Sequence, residues 1–413
     1  MAFEGISDNE IRIGYLADMS GVYRDPIGPL GEDAINMAIE DIGGSVNGAN
    51  IVVFSADDRN SPDVGSSVVR EWIDERNVDM VTGLVASSVT LAAVGLLEEA
   101  DKLGLVNGAV SSAITNEHCS PNHIHWVYDT WAMSNGTAKA ITDEGHKNWY
   151  LLSADYSFGH ALEADVTRVV TENGGTIVGS ARHPFPSSDF SSFMLQAQAS
   201  GADVIALNNA GGDTINAVQT AGEFGITQAG QILAGMVLFS TDIRSIGLEN
   251  AQGLQFTKAW YYDLNDETRA WAERFRERTG SMPTMVHAGL YSSTRHYLEA
   301  IKATGTDDTQ TVRQQMGDTP LTIFSRLAAT FVKMGAWSTI CISWKLKRLK
   351  SRKMKMTSST LSAPFLRKKP SARFQKVFAH LSPVKSLSIH YNKLKELACL
   401  IRLLSSKTVS GLL

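Results

Sequence analysis

Over the first 320 positions, apolar residues come in short continuous blocks separated by stretches with helical spacing. Extended blocks fall at 11–17, 51–56, 80–85, 105–110 and 124–128, and a second series at 149–154, 177–181, 204–207, 232–239 and 254–261. Between them the period changes. In 31–42, Ile35, Met37, Ala38, Ile39 and Ile42 make one stripe, and Gly43-Gly44 closes the predicted helix. Val94, Leu97 and Ala100 repeat the spacing, as do Val166, Val169 and Val170. Short buried strands alternating with amphipathic helices predict parallel sheets covered on both faces. Two such series in tandem predict two α/β lobes.

Parallel sheets bind ligands at the carboxyl ends of their strands, beside the point where strand order reverses. The residues after the predicted strands suit that task. They read Ser20-Gly21-Val22-Tyr23, Ala86-Ser87-Ser88 and Ala109-Val110-Ser111-Ser112 in the first series, and Asp155-Tyr156-Ser157-Phe158-Gly159 and Asn209-Ala210-Gly211-Gly212-Asp213 in the second. Such loops offer hydroxyls, backbone N–H groups at helix starts and aromatic faces, which together hold a small carboxylate with an apolar body. Any one Ser or Asp there is equally a helix N-cap. Five loops of this kind favour a cleft between the lobes.

Other chemistry has little support. His118, Cys119, His123 and His125 lie close together, but their spacing fits no standard zinc pattern, and a polar loop entering a strand is the better reading. No GxSxG, HExxH, P-loop or GxGxxG is present, so neither a nucleophile elbow nor a cofactor fingerprint is encoded. Asp57-Asp58 and Asp307-Asp308 are paired only in sequence. A catalyst and a bound cofactor are therefore not expected. Three cysteines, none in a CxxC pair, make no disulfide framework. The start, MAFEGISDNEIRIG, shows no signal peptide.

The motifs EIRIGYLADMSGVY, AIEDIGG, GLVASSVTLA and ADYSFGHALEADV resemble the solute-binding proteins of bacterial ABC importers, in particular the leucine/isoleucine/valine-binding family with the type I periplasmic-binding fold. The resemblance covers about residues 9–320. It implies two Rossmann-like lobes joined by crossings and closing like a hinge, with 9–127 plus 259–320 as lobe 1 and 128–258 as lobe 2. It also implies a periplasmic location and a permease partner. By the family's pattern Ser87 and the loop with Ala109, Ser111 and Ser112 hold the ligand carboxylate, and Ser88 stands beside them. Tyr23, Tyr156 and Phe158 line the cleft. The family's acidic residue for an α-amino group falls near Gly235-Met236-Val237-Leu238-Phe239, which has no acid; Asp213 is the neighbouring candidate. An unpaired buried ammonium is costly, so the expected ligand is an aromatic or short aliphatic acid, with a branched-chain amino acid as the family's own alternative. A cytoplasmic ligand sensor on the same fold and, more remotely, a metal-dependent enzyme are the other readings.

Charge changes the picture at the far end. The formal net charge of −5 conceals 42 acids against 19 bases in residues 1–320, and a single acid, Glu396, against 19 bases in residues 321–413. A basic tail suggests nucleic acid or a membrane surface. Yet no sustained amphipathic stripe accompanies the Lys-rich stretch, and the run 334–344 is too short to span a bilayer. A shifted reading frame explains the tail better. Lys333-Met334-Gly335-Ala336-Trp337 is encoded AAR ATG GGN GCN TGG, and one alternative frame reads Asp or Asn, Gly, a residue such as Arg, then Met, Leu or Val. That is a hairpin turn flanked by strand residues. Residues 321–413 are accordingly expected to be a poorly ordered, frame-shifted product with neither a nucleic-acid partner nor stable membrane insertion.

Overall fold

In the computed structural model the described residues are 5–321 and the backbone of the strand Ile342–Lys345. Two six-stranded sheets lie within one compact unit, residues 1–348. The first contains β1 (Glu10–Ala17), β2 (Ser45–Val46), β3 (Ala49–Asp57), β4 (Met80–Gly83), β5 (Leu103–Val106) and β6 (His123–His125), in the order β2-β3-β1-β4-β5-β6. All neighbours are parallel except the β2–β3 hairpin. The second contains β7 (Asn148–Ala154), β8 (Thr176–His183), β9 (Val204–Asn208), β10 (Ile232–Gly235), β11 (Gln255–Lys258) and β12 (Ile342–Lys345), in the order β12-β11-β10-β9-β7-β8. It is parallel except where β12 runs antiparallel to β11.

The strand order reverses between β1 and β4 in the first sheet and between β7 and β9 in the second. Loops that leave adjacent strands in opposite directions open a crevice there. Four of the five sequence-predicted loops, those after β1, β4, β7 and β9, are the ones at these reversals.

The helical stripe at 31–42 is realised as α1 (Leu30–Asp41), which buries Ala34, Ile35, Met37 and Ala38. Full burial of a side chain such as Ile35 contributes about 1.5–3 kcal/mol. Gly43 and Gly44 both take positive φ, and the Gly44 N–H closes the helix on the Ile39 carbonyl at 2.9 Å. After β6 the chain passes through Trp126 and Tyr128 into α4 (Thr130–Asp143), which Asp129 caps. Thr137 of α4 bonds Thr257 of β11, so this helix belongs with the second sheet.

After β11 the chain returns. Helices α9 (Asp266–Thr279) and α10 (Met285–Thr304) rejoin the first sheet's layer: Arg274 and Arg278 pair with Asp41 and Asp33 of α1, while Ser292 and Ser293 receive bonds from Trp126 and Asn107. Between α4 and α9 lie α5 (Ser157–Glu172), α6 (Ser191–Ala199), α7 (Gly212–Glu223) and α8 (Ser240–Ile246); the other α-helices among the described residues are α2 (Pro62–Asp74), α3 (Ser87–Glu99) and α11 (Thr309–Asp318).

Several expected strands end early. β5 stops at Val106, β6 at His125, β10 at Gly235 and β11 at Lys258. The apolar residues beyond those points, Val110, Trp126, Val237 and Phe239 among them, are buried all the same. They lie in loops, Trp126 against α10 and the other three at the cleft between the lobes, so their hydrophobicity reports burial rather than strand. β12 falls inside the stretch where the sequence pattern breaks, because pairing with the β11 edge uses backbone groups and needs no side-chain alternation. The remainder of the basic tail, with the expectation that it is frame-shifted and poorly ordered, lies outside the described residues.

Candidate functional site

The turn after β4 is built by two residues in the left-handed region, Gly83 (φ 86°) and Leu84 (φ 52°). A Cβ on Gly83 would stand 2.4 Å from the Leu16 carbonyl, and the Leu84 N–H donates to that same oxygen at 2.8 Å. A non-glycine residue at positive φ is strained. Here the turn lifts Val85 off the sheet and starts α3 at Ser87, in the crevice. Ser87 is buried, yet its Oγ has no hydrogen-bond partner. The N–H groups of a helix's first turn also lack partners within the helix, so an acceptor at this point meets a hydroxyl and backbone donors together.

Opposite Ser87 stand rings from the second lobe. Tyr156, at the start of α5, and Phe158, on its first turn, pack at 5.8 Å, and Phe185, after β8, stacks on Tyr156 at 4.1 Å and on Tyr23 at 5.8 Å. Val85, Val110, Val237 and Phe239 complete the apolar walls. Three contacts hold the lobes together over this space. The Tyr23 and Tyr156 hydroxyls bond each other, Phe185 stacks across, and the Gly212 N–H donates to the Val22 carbonyl at 3.1 Å. Gly211 makes the last of these possible: its φ is 58°, and a Cβ there would stand 2.3 Å from the Val22 oxygen. With the lobes closed the cavity is ≈ 20 Å³, room for about one water. Admitting a larger molecule requires the rings or the lobes to move.

Asp213, on the first turn of α7, is buried beside these rings, and burial pushes its carboxyl up to about 7. One oxygen accepts the Ser187 N–H at 3.0 Å; the other has no hydrogen-bond partner and lies 3.9 Å from His183 Nδ1. Burial, together with the neighbouring phenol and Asp213, raises the Tyr23 phenol well above its ordinary value. Burial and Asp213 raise that of Tyr156 too. Both remain protonated donors at neutral pH.

Tyr23, Ser87, Tyr156 and Phe158 thus converge on the cavity, with Asp213 next to it. Ser88 is half-buried one position along α3. The other three candidates have different employment. Ala109 packs in the first lobe's core, and its carbonyl accepts from His125 Nε2 at 2.8 Å. Ser111 caps the short turn Ser112–Thr115 by accepting from the Ala113 N–H. Ser112 donates through Oγ to Asp165 of α5 at 3.0 Å and through its N–H to Thr130 at 3.1 Å. It ties the lobes beside the first crossing instead of facing the cavity.

His123 and His125 are buried, each bonded through Nε2 to a backbone carbonyl, and burial lowers both to about 4. Among the described residues no group of three or more His, Cys, Asp or Glu is placed to hold a metal ion, and no helix is long and apolar enough to cross a membrane. Two wall residues escape the sequence pattern. Phe185 stands in a Pro-flanked segment after β8, where Phe-Pro was a usable signal, and Phe239 was hidden inside an apolar run.

Residues 10–334 match the profile of the periplasmic binding protein family. The chain belongs to that family. Among solved structures it is similar to a periplasmic binding protein from Burkholderia mallei, at 39% identity and a TM-score of 0.79, covering 82% of this chain and 90% of the other. A branched-chain amino acid ABC transporter periplasmic ligand-binding protein from Burkholderia xenovorans is 34% identical with a TM-score of 0.74, over 83% and 92%. An ABC transporter solute-binding protein from R. palustris in complex with 4-hydroxybenzoate shares the fold at 23% identity and a TM-score of 0.76, over 82% and 94%. A Leu/Ile/Val-binding protein homologue of Brucella melitensis is 26% identical over 62% of this chain, which spans 66% of that relative's length. The family's two-lobed α/β architecture is the one described above.

Proposed function

We propose that this protein is the substrate-binding component of an ABC importer, working in the periplasm and capturing a small carboxylic acid between its lobes for a permease partner. The observation that carries this reading is Ser87: a buried, unpartnered hydroxyl at the start of a helix, facing a cavity walled by the other lobe's rings. The carboxylate takes the Ser87 hydroxyl and the first-turn N–H groups of α3, and an apolar body lies among Tyr156, Phe158 and Phe239. Closure then brings Tyr23 to Tyr156 and Val22 to Gly212, and that shape is what the permease reads.

The ligand class favoured is an aromatic or short aliphatic acid without an α-amino group. The loop Gly235-Met236-Val237-Leu238-Phe239 is buried and has no acid, and a neighbour of the same fold was solved with 4-hydroxybenzoate. One observation supports a branched-chain amino acid instead: the unpartnered oxygen of Asp213 would accept from an ammonium. Calorimetry with benzoate, 4-hydroxybenzoate, leucine and valine separates the two. Tighter binding of the aromatic acids is expected, and tighter binding of leucine or valine sinks that preference.

The tail fits the same reading. The family match ends at residue 334, where the alternative frame begins to read as an Asp-Gly turn. We infer a frame shift near codon 333; a gene sequenced afresh that keeps this frame through codon 413 removes the idea.

A further inference from the structure

Lys258 ends β11 on the side facing the cleft and is the only charged residue between positions 254 and 261. It is 8% exposed. Its ammonium lies 5.5 Å from the centroid of the Phe256 ring and 5.7 Å from that of Tyr261, and among the described residues no carboxylate comes within 4.0 Å of it. Asp242 is the carboxylate whose charge it feels, but it makes no ion pair with Lys258, its carboxyl is pushed up to about 7 by burial, and it accepts the Phe239 N–H at 2.9 Å at the start of α8. Two ring faces return only part of what an ammonium loses on leaving water. Lys258 therefore stands under-compensated, packed among Phe239, Ser240, Tyr261 and Met285 in a space of ≈ 0 Å³ that opens only when the rings or the lobes move. Phe239 also walls the Ser87 cavity and is the one residue that lines both spaces. Close by, the Tyr128 hydroxyl is buried with no hydrogen-bond partner and lies within the field of Asp242.

We propose that Lys258 is a specificity-determining residue, whose ammonium takes an anionic group at the far end of the ligand, across Phe239 from Ser87. The cleft then selects rigid molecules with an acid at each end over those with one. This rests on the importer reading given above and adds the class of ligand to it.

The test measures benzoate, isophthalate and terephthalate by calorimetry on the wild type, Lys258→Met and Lys258→Arg, together with the unliganded melting temperature of each. The wild type is expected to bind at least one diacid roughly tenfold or more tighter than benzoate. That ratio should fall to about one in Lys258→Met and recover in part in Lys258→Arg, with the unliganded melting temperature of the Met variant equal to or above the wild type's. Diacids no tighter than benzoate in the wild type, or a ratio that survives in Lys258→Met, overturn the proposal. Should no acid bind at all, the carboxylate reading itself has failed and the melting temperatures decide Lys258. A lower value in Lys258→Met then marks an ion the fold requires and overturns the proposal, and a higher one supports an unmatched cation. If Lys258→Met does not fold, Lys258→Gln provides the same comparisons.

Discussion

The two walls of the cleft are chemically unlike. The first lobe contributes a helix start, the Ser87 hydroxyl, the Tyr23 phenol and aliphatic packing from Ile27, Val85 and Val110. His123 and His125 each bond a backbone carbonyl through Nε2, and the serines at 111 and 112 are occupied within turns or at the crossing. The second lobe contributes rings and two titratable side chains whose charge the fold leaves under-matched, Asp213 and Lys258. A neutral helix start accepts any carboxylate, whereas rings and unmatched charges discriminate among the bodies attached to it. We take the first lobe as the general anchor and the second as the selector. That division makes distinct demands on variants of each wall.

The largest effect is expected from Ser87→Asp. On the proposed binding mode it sets a negative charge where the ligand carboxylate would arrive, and like charges in contact cost several kcal/mol. Calorimetry should show affinity lost by roughly 10³-fold for every acid, whatever its body. A loss confined to some ligands would make Ser87 a selector and break the division of labour.

Gly211→Ala comes next. It leaves the ligand's contacts intact but sets a methyl against the Val22 carbonyl at a φ of 58°, a strain of about 1–3 kcal/mol. Closure should weaken and affinity fall roughly tenfold or more, with small-angle scattering showing a more open protein in saturating ligand.

Asp213→Asn sharpens the selector role and carries a pH signature. The folded carboxyl, at about 7, lies above its unfolded value near 3.9. The stability associated with the protonated form is therefore complete below about pH 4 and is lost as pH rises through 7. The Asn variant should melt a few degrees above the wild type at pH 8 and level with it at pH 4, since every tenfold difference in proton affinity between the folded and unfolded chain is worth about 1.4 kcal/mol. Equal differences at both pH values would mean that Asp213 is not buried as a neutral acid. If the ligand is an amino acid, the same variant loses it.

The smallest effect belongs to Tyr23→Phe. Removing one hydroxyl of the Tyr23–Tyr156 pair forfeits about 1 kcal/mol, roughly fivefold in the open–closed balance. That balance can be read from scattering or from ligand off-rates.

The order of strands and helices was legible because each element buries a face at its own period. Strand ends were not: the residues at 107–110 and 236–239 are buried in loops, partly by their own lobe's core and partly at the cleft, and burial reads alike in loop and strand. Ser87, Ser111 and Ser112 are also indistinguishable as letters after a strand. Only the left-handed turn at Gly83-Leu84 puts Ser87 into the crevice, while Asp165 and Thr130 draw Ser112 to the crossing. Phe185 and Lys258 were visible as a Pro-flanked ring and a lone charge in an apolar run, but neither announces what it faces.

The sequence by itself determined two α/β lobes, four of the loops that border the crevice, and an abrupt change of character near residue 320. The tertiary structure alone decided which residues of those loops meet across the cleft and which polar groups stay unpaired there. Periodicity is a property of one segment, whereas a site between lobes depends on distances among segments as far apart as Tyr23, Ser87, Tyr156 and Lys258, and those are set only when both sheets are packed.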